Sequence, residues 1–97
     1  MIIYYYQMST NPSICIAKVD KTITKQFIFN IINKHKLGNI RLINLIPMGK
    51  FQRAFIHFDY WYNNEKSLKV KNLLLANEDF KIIYVYPWFW KCTIVNN

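Results

Sequence analysis

From Gln52 to Phe58 the chain alternates in two registers at once: Gln-Arg-Ala-Phe-Ile-His-Phe. Successive side chains of an extended strand leave on opposite sides, so Ala54, Ile56 and Phe58 share one face and Arg53, Phe55 and His57 the other. The first face is small or apolar throughout and reads as core. The second carries a cation, an aromatic ring and an imidazole, an unusual set for a surface that meets only water. This strand constrains the fold most, because it needs a sheet with one covered side and one side of mixed chemistry.

The 97 residues suffice for one core and no second domain. Flanking the central strand, the pattern predicts strands over 14–19, 40–46 and 80–86, with the central one spanning 51–60. A helix capped by Thr22 or Thr24 is expected to run to about Lys36, with Phe27, Ile28, Ile31, Ile32 and His35 on its buried stripe and Gly38 as its left-handed stop. A second helix, over about 65–76 and capped by Asn63 or Asn64, is expected to turn Leu68 and Leu75 inward together with part of Leu73 and Leu74. The alternation of the second strand breaks near Asn44, where a bulge is expected. In the last strand Phe80, Ile82 and Tyr84 face the core, and Lys81, Ile83 and Val85 the open side. The order β-α-β-β-α-β with right-handed crossovers predicts an α+β, ferredoxin-like sandwich. Its four-stranded antiparallel sheet would run in order four-one-three-two with both helices on one face. Residues 1–13 read as an N-terminal tail, with a natural start at Met8, residues 14–91 as the domain, and 92–97 as a C-terminal tail, in which Ile94 and Val95 have the composition of a short extra strand.

Phe51-Gln52-Arg53-Ala54-Phe55-Ile56-His57-Phe58 resembles the third-strand octamer of the RNA-recognition-motif (RRM) family, matching it at Ala54, Phe55, Ile56 and Phe58. Phe51 stands where that family has a cation, Gln52 where it has glycine, and Arg53 where it has a stacking ring. Ile14-Cys15-Ile16-Ala17-Lys18-Val19 resembles the family's first-strand hexamer in its apolar frame, with Cys15 in place of another ring. The resemblance spans about 14–86 and implies an RRM-type fold with Phe55 as the one surviving stacking ring. The run from Phe55 through Trp61-Tyr62-Asn63-Asn64, a lysine-rich helix, and Tyr84 to Pro87-Trp88-Phe89-Trp90-Lys91 is similar to short proteins encoded by large nucleocytoplasmic DNA viruses. That similarity implies a viral protein of an infected host cell, in its cytoplasm or nucleus or in the virion.

The net charge is +8, from 13 Lys+Arg against 5 Asp+Glu, and a chain of that balance attracts polyanions. Abundant Lys, Asn, Ile, Tyr and Phe also fit AT-rich coding, so the charge alone does not single out nucleic acid. No apolar run approaches the roughly 18–20 residues of a membrane span, and the first residues lack the pattern of a secretory signal. Cys15 and Cys92 have no metal-ligand spacing and read as free thiols. With only Gly38 and Gly49 there is no phosphate-cradling glycine loop. No nucleophile accompanies His57 and Asp59, although Asp59 has the parity to orient that histidine. The reading is therefore non-enzymatic, with no metal and no cofactor.

Two clusters remain. On the central strand, Phe55 is placed to stack on a base and Arg53 to stack or pair with phosphate, with His57 beside them. At the chain's end, Trp88, Phe89 and Trp90 cannot all enter one core layer. Trp88 and Trp90 are expected to share a side, as an aromatic platform with Lys91 or as a seal on the core. Lys50, Arg41 and Lys81 complete a basic groove if they line the open sheet face. The expectation is a small protein that binds single-stranded RNA or DNA through Arg53, Phe55, His57, Lys50, Arg41, Lys81, Trp88, Trp90 and Lys91. The alternative is a protein–protein module, a homodimer or a viral or host partner docking the open sheet or the aromatic end.

Overall fold

Buried and exposed positions alternate along the central strand as its sequence requires: Ala54, Ile56 and Phe58 are buried, while Arg53, Phe55 and His57 are half-buried on the opposite face. In the computed structural model, which describes residues 11–95, this strand lies in a chain of seven elements. They are β1 (Ile14–Asp20), α1 (Lys25–Lys34), β2 (Gly38–Met48), β3 (Phe51–Trp61), α2 (Glu65–Leu75), β4 (Phe80–Val85) and β5 (Trp88–Ile94). The readings made for residues 1–10, including the start at Met8, lie outside the described residues. No described helix is long and apolar enough to cross a membrane.

The sheet is antiparallel throughout and has five strands, in the order β2-β3-β1-β5-β4, rather than the expected four in the order four-one-three-two. The correction comes from the segment after Pro87. The chain reverses at Tyr86-Pro87, and Trp88–Ile94 returns as a strand that pairs Cys15 with Thr93 and Ile16 with Cys92. β5 thus takes the place beside β1 that the fourth strand was expected to fill, and β4 becomes the edge. Cys92, Thr93 and Ile94 belong to the sheet and not to a tail. At the other end, Pro12 O accepts from Trp61 Nε1 at 3.0 Å and Ser13 O accepts from Val95 N at 3.0 Å, so the last residues before β1 are anchored as well.

Both helices cover one side of the sheet. Ile28 and Ile32 of α1 and Val70 and Leu74 of α2 join Ile14, Ile16, Ala54, Ile56, Ile82, Trp90 and Cys92 in one core. Each such aliphatic side chain contributes roughly 1.5–3 kcal/mol through burial. Helix α1 starts at Thr24, whose hydroxyl accepts from Phe27 N at 3.1 Å, while Thr22 is engaged by Asp20 instead. Its left-handed exit is Lys36 (φ 52°) and not Gly38, which already lies in β2. Helix α2 is capped by Asn64, which accepts from Ser67 N at 2.8 Å. The inward stripe of α2 is Ser67, Val70 and Leu74, spaced by three and four residues. Leu68 and Leu75, expected inside, flank that stripe and are exposed. Ser67 can be buried because its hydroxyl donates to Leu37 O at 3.0 Å or Tyr62 O at 2.5 Å, which ties α2 to the start of β2 and the end of β3.

Gln52, in place of the octamer's glycine, is buried and donates to Asp20 O at 3.0 Å and Ile23 O at 2.6 Å. It closes the loop from β1 into α1, a use that its neighbours in sequence do not reveal. In β2 the break in alternation falls at Arg41 rather than near Asn44: Ile40 pairs with Phe58 but Leu42 with His57.

Candidate functional site

The helices leave one face of the sheet uncovered, and strand register shows which side chains meet there. Asn44, Phe55, Cys15 and Thr93 form one row across β2, β3, β1 and β5. Beside it Ile46 lies opposite Arg53, then Met48 opposite Phe51, and on the other side Leu42 lies opposite His57. On the outer strands Lys81 faces Lys91 and Ile83 faces Phe89.

β1 makes the centre of this face concave. Its register shifts between Ile16 and Val19, opposite Ala54 and Gln52, so that Ala17 and Lys18 are both turned out of the core. Ala17 offers only a methyl group, and a groove of about 410 Å³ opens above it, lined by Ala17, Lys18, Phe89, Lys91 and Thr93. Lys18 Nζ lies 4.4 Å from the centre of the Phe51 ring and Lys81 Nζ 4.7 Å from that of Phe89. Contacts of this kind are worth about 0.5–1 kcal/mol when exposed, so either ammonium can leave its ring for a stronger partner at small cost. Arg53 is half-buried next to the groove's floor. Its Nε is enclosed and has no hydrogen-bond partner, a donor left unmet. Lys91 is paired with Asp79 at 3.3 Å, an exposed contact of little strength.

The structure therefore brings Arg53, Phe55, His57 and Lys81 onto one face, as the alternation predicted, and adds Lys91 opposite Lys81. Lys50 is exposed in the turn between β2 and β3. Arg41 lies at the β2 bulge and is spent on Asp59, with Nε 3.7 Å from Oδ1. Asp59, expected to orient His57, instead meets Arg41 and accepts from Asn39 Nδ2 at 3.0 Å. The two tryptophans meet different surroundings. Trp88 is 65% exposed opposite Val85, just beyond a register shift in β4, whereas Trp90 is only 2% exposed. Trp90 stacks on Tyr84 with ring centres 4.5 Å apart and receives the edge of Phe27 at 6.3 Å, so it belongs to the core and not to any platform. Sequence reasoning missed Phe51, Phe89 and Lys18. The first two follow from parity, Phe51 with Arg53 and Phe89 against Trp90; the outward turn of Lys18 depends on a bulge that no residue type announces.

His57 shares a 2.7 Å hydrogen bond with Ser13 between Nδ1 and Oγ. Burial, and then the charge of Arg41, hold its pKa below the ordinary value, so at neutral pH it brings a ring and no charge. His35, on α1's C-terminal side, is lowered too, by burial and then by Lys66 and Lys34. In both cases the unfolded chain binds the proton more readily. Stability is then fully present above the unfolded value of about 6.5 and declines as the pH falls through it. Urea denaturation at pH 7.5 and 5 is expected to show a lower midpoint at pH 5, and a His35→Gln, His57→Gln double variant to show less of that decline. A midpoint independent of pH in the wild-type chain would contradict the direction of these shifts.

The two thiols are free and lie on opposite faces, Cys15 on the open side and Cys92 in the core. Burial pushes the Cys92 pKa up to about 12, so this sulfur stays a thiol. Among the described residues no group of three or more His, Cys, Asp or Glu side chains gathers to hold a metal. Comparison with known protein families, with curated proteins and with solved structures yields no match.

Proposed function

We propose that this chain is a small, non-enzymatic protein that binds single-stranded nucleic acid on the open face of its sheet. One observation supports this reading above the others. Lys18, Lys91 and Phe89 line a groove above Ala17, and Arg53, Lys81, Phe51 and Phe55 lie on the same sheet face. Cations interleaved with exposed rings suit a strand that offers phosphates and base faces together, and they do so without reading its sequence. In this account Phe55 and Phe89 stack with bases. Lys18 and Lys81 swing from their rings to phosphate, and the half-buried Arg53 adds its charge beside them. Trp88 and Lys50 extend the surface at its rim. The RRM-like character and a viral origin belong to the same proposal, on the residues that carry the resemblance.

Fluorescence anisotropy with a mixed-sequence single-stranded oligonucleotide tests it. Four phosphates neutralised on a single strand predict an affinity loss of about 50-fold between about 50 and about 200 mM salt. Phe55→Ala is expected to weaken binding by roughly 5- to 150-fold, as for one lost stacked base, with the fold retained. Absence of binding, or binding that ignores salt, would reject the proposal.

A second reading has its own support. Leu42, Ile46 and Met48 on β2, with Ile83 on β4, leave exposed aliphatic surface on the same face, which suits contact with protein. A dimer at micromolar concentration that Ile83→Lys dissolves would select that reading.

A further inference from the structure

On the helix side of the sheet, between α2 and β4, lies a groove of about 300 Å³ that binding at the open face leaves unused. Its floor is apolar, with Leu37, Val70, Phe80 and Ile82, and its border carries the cations Lys66, Lys69 and Lys81 beside the imidazole of His35. Lys66 is turned onto the imidazole: its Nζ donates to His35 Nδ1 at 2.6 Å, which requires that ring to be neutral. Neither of the ion pairs among the described residues, Arg41–Asp59 and Lys91–Asp79, involves Lys66, Lys69 or Lys81. The groove therefore presents positive charge around an apolar trough whose described lining includes no carboxylate.

The groove adjoins a free backbone edge. β4 is an outer strand, and its Phe-Lys-Ile-Ile-Tyr-Val is made largely of strong strand formers. Outer strands offer unpaired N–H and C=O groups to any extended chain that reaches them. The other outer strand, β2, also borders a groove, of about 280 Å³, with Lys25 and Arg41 at its rim. It is a poorer acceptor. Its register shifts on both sides of Ile40, Pro47 lacks a donor, and Arg41 is engaged by Asp59.

We propose that the β4 edge and its basic groove receive an extended acidic segment of a partner protein. The segment adds as a sixth strand, lowers one apolar side chain onto Val70, Phe80 and Ile82, and sets carboxylates against Lys66, Lys69 and Lys81. Backbone pairing supplies affinity, and the side chains select the partner. A second copy of this chain is a poor occupant, because a +8 molecule would bring its own lysines to the same border. Nucleic acid is a poor occupant too, since Phe80 is the one Phe, Tyr or Trp ring in the described lining and the rest of the floor is aliphatic.

The test uses a capped octapeptide in which glutamate alternates with leucine, valine and phenylalanine, its glutamine counterpart, and decanoate. Binding is followed by calorimetry and by amide and imidazole NMR shifts. The glutamate peptide is expected to perturb β4, α2 and His35 and to raise the pH at which His35 titrates. The glutamine peptide is expected to bind about tenfold or more weakly, and Lys66→Glu with Lys69→Glu to lose a similar factor. Both lysines are exposed, so the variant is expected to stay folded, which its NMR spectrum checks. No binding at millimolar peptide, equal affinity for the two peptides, or shifts confined to the open sheet face would overturn the proposal. So would decanoate binding equally well in the groove, or self-association through β4. Oligonucleotide binding is measured separately on the same variant, so the two surfaces stand or fall independently.

Discussion

Trp90→Ala is expected to cost about 3–5 kcal/mol, a large part of the 5–15 kcal/mol that holds a domain of this kind together. The loss has two sources. The indole is 2% exposed, so its removal leaves a cavity under α1, and the stack on Tyr84 at 4.5 Å and the edge contact from Phe27 disappear together. Trp88→Ala, two residues away, is expected to shift stability by no more than about 0.5 kcal/mol, because that ring is 65% exposed. Urea denaturation of the two variants side by side is the measurement. The contrast also fixes the functional face. A slip of one residue in β5 would exchange every inward and outward side chain of the strand, sinking Phe89 and Lys91 into the core. Equal losses from the two tryptophans, or a larger loss from Trp88, would remove Phe89 and Lys91 from the open face and the groove above Ala17 with them.

What the sequence made legible is the periodic part. Alternation placed Ala54, Ile56 and Phe58 against the helices and Arg53, Phe55 and His57 away from them, and it sorted β4 correctly into Ile82 inside and Lys81, Ile83 and Val85 outside. Capping chemistry located the helix starts, at Thr24 and Asn64. Illegible were features where one residue breaks a period. The β1 shift turns Lys18 outward, and at the start of β5 Trp88 is left exposed although Trp90 is buried. The aromatic run after Pro87 hid the fifth strand, because three adjacent rings show no alternation of polarity although their burial alternates from Phe89 to Cys92. In α2 two of the four leucines misled, while Leu74 lies inward as expected. Leucine at Leu68 and Leu75 suggests an inward stripe, but Ser67 holds an inward position through its hydroxyl's bond to a buried carbonyl, and geometry leaves those two leucines outside.

The two proposed surfaces divide the charge of the molecule in a way that composition cannot. Lys18, Arg53 and Lys91 belong to the open sheet face, where rings lie exposed; Lys66 and Lys69 belong to the helix side, where the apolar floor is a trough rather than a platform. A polyanion with stackable bases suits the first arrangement, and a chain with carboxylates and one apolar anchor suits the second. Lys81 borders both, reaching Phe89 on one side and the α2 groove on the other. It is therefore the one position where charge reversal should weaken both ligands.

Gly38→Ala is expected to cost about 3 kcal/mol or more, at the upper end of what overpacking produces. A Cβ built on Gly38 would collide with Tyr60 O and crowd Trp61 Cα at 2.9 Å. These are backbone atoms of the paired strand, so no side-chain rotation relieves the clash. β2 must move away from β3 where Gly38 pairs with Trp61. The displacement would spread, because the adjoining Leu37 O accepts from Tyr62 N at 2.9 Å and from Ser67 Oγ at 3.0 Å, joining β2, β3 and α2 at one junction. Gly49→Ala serves as the contrast. That glycine has a positive φ of 67° but nothing within 4 Å of an added Cβ, so only the left-handed penalty of roughly 1–2 kcal/mol applies. Thermal melts of both variants distinguish close approach from backbone conformation as the reason for each glycine. The same junction positions His35 and Lys66 beside Leu37, so a folded remnant of Gly38→Ala is expected to lose the acidic-peptide groove while keeping the sheet face around Ala17.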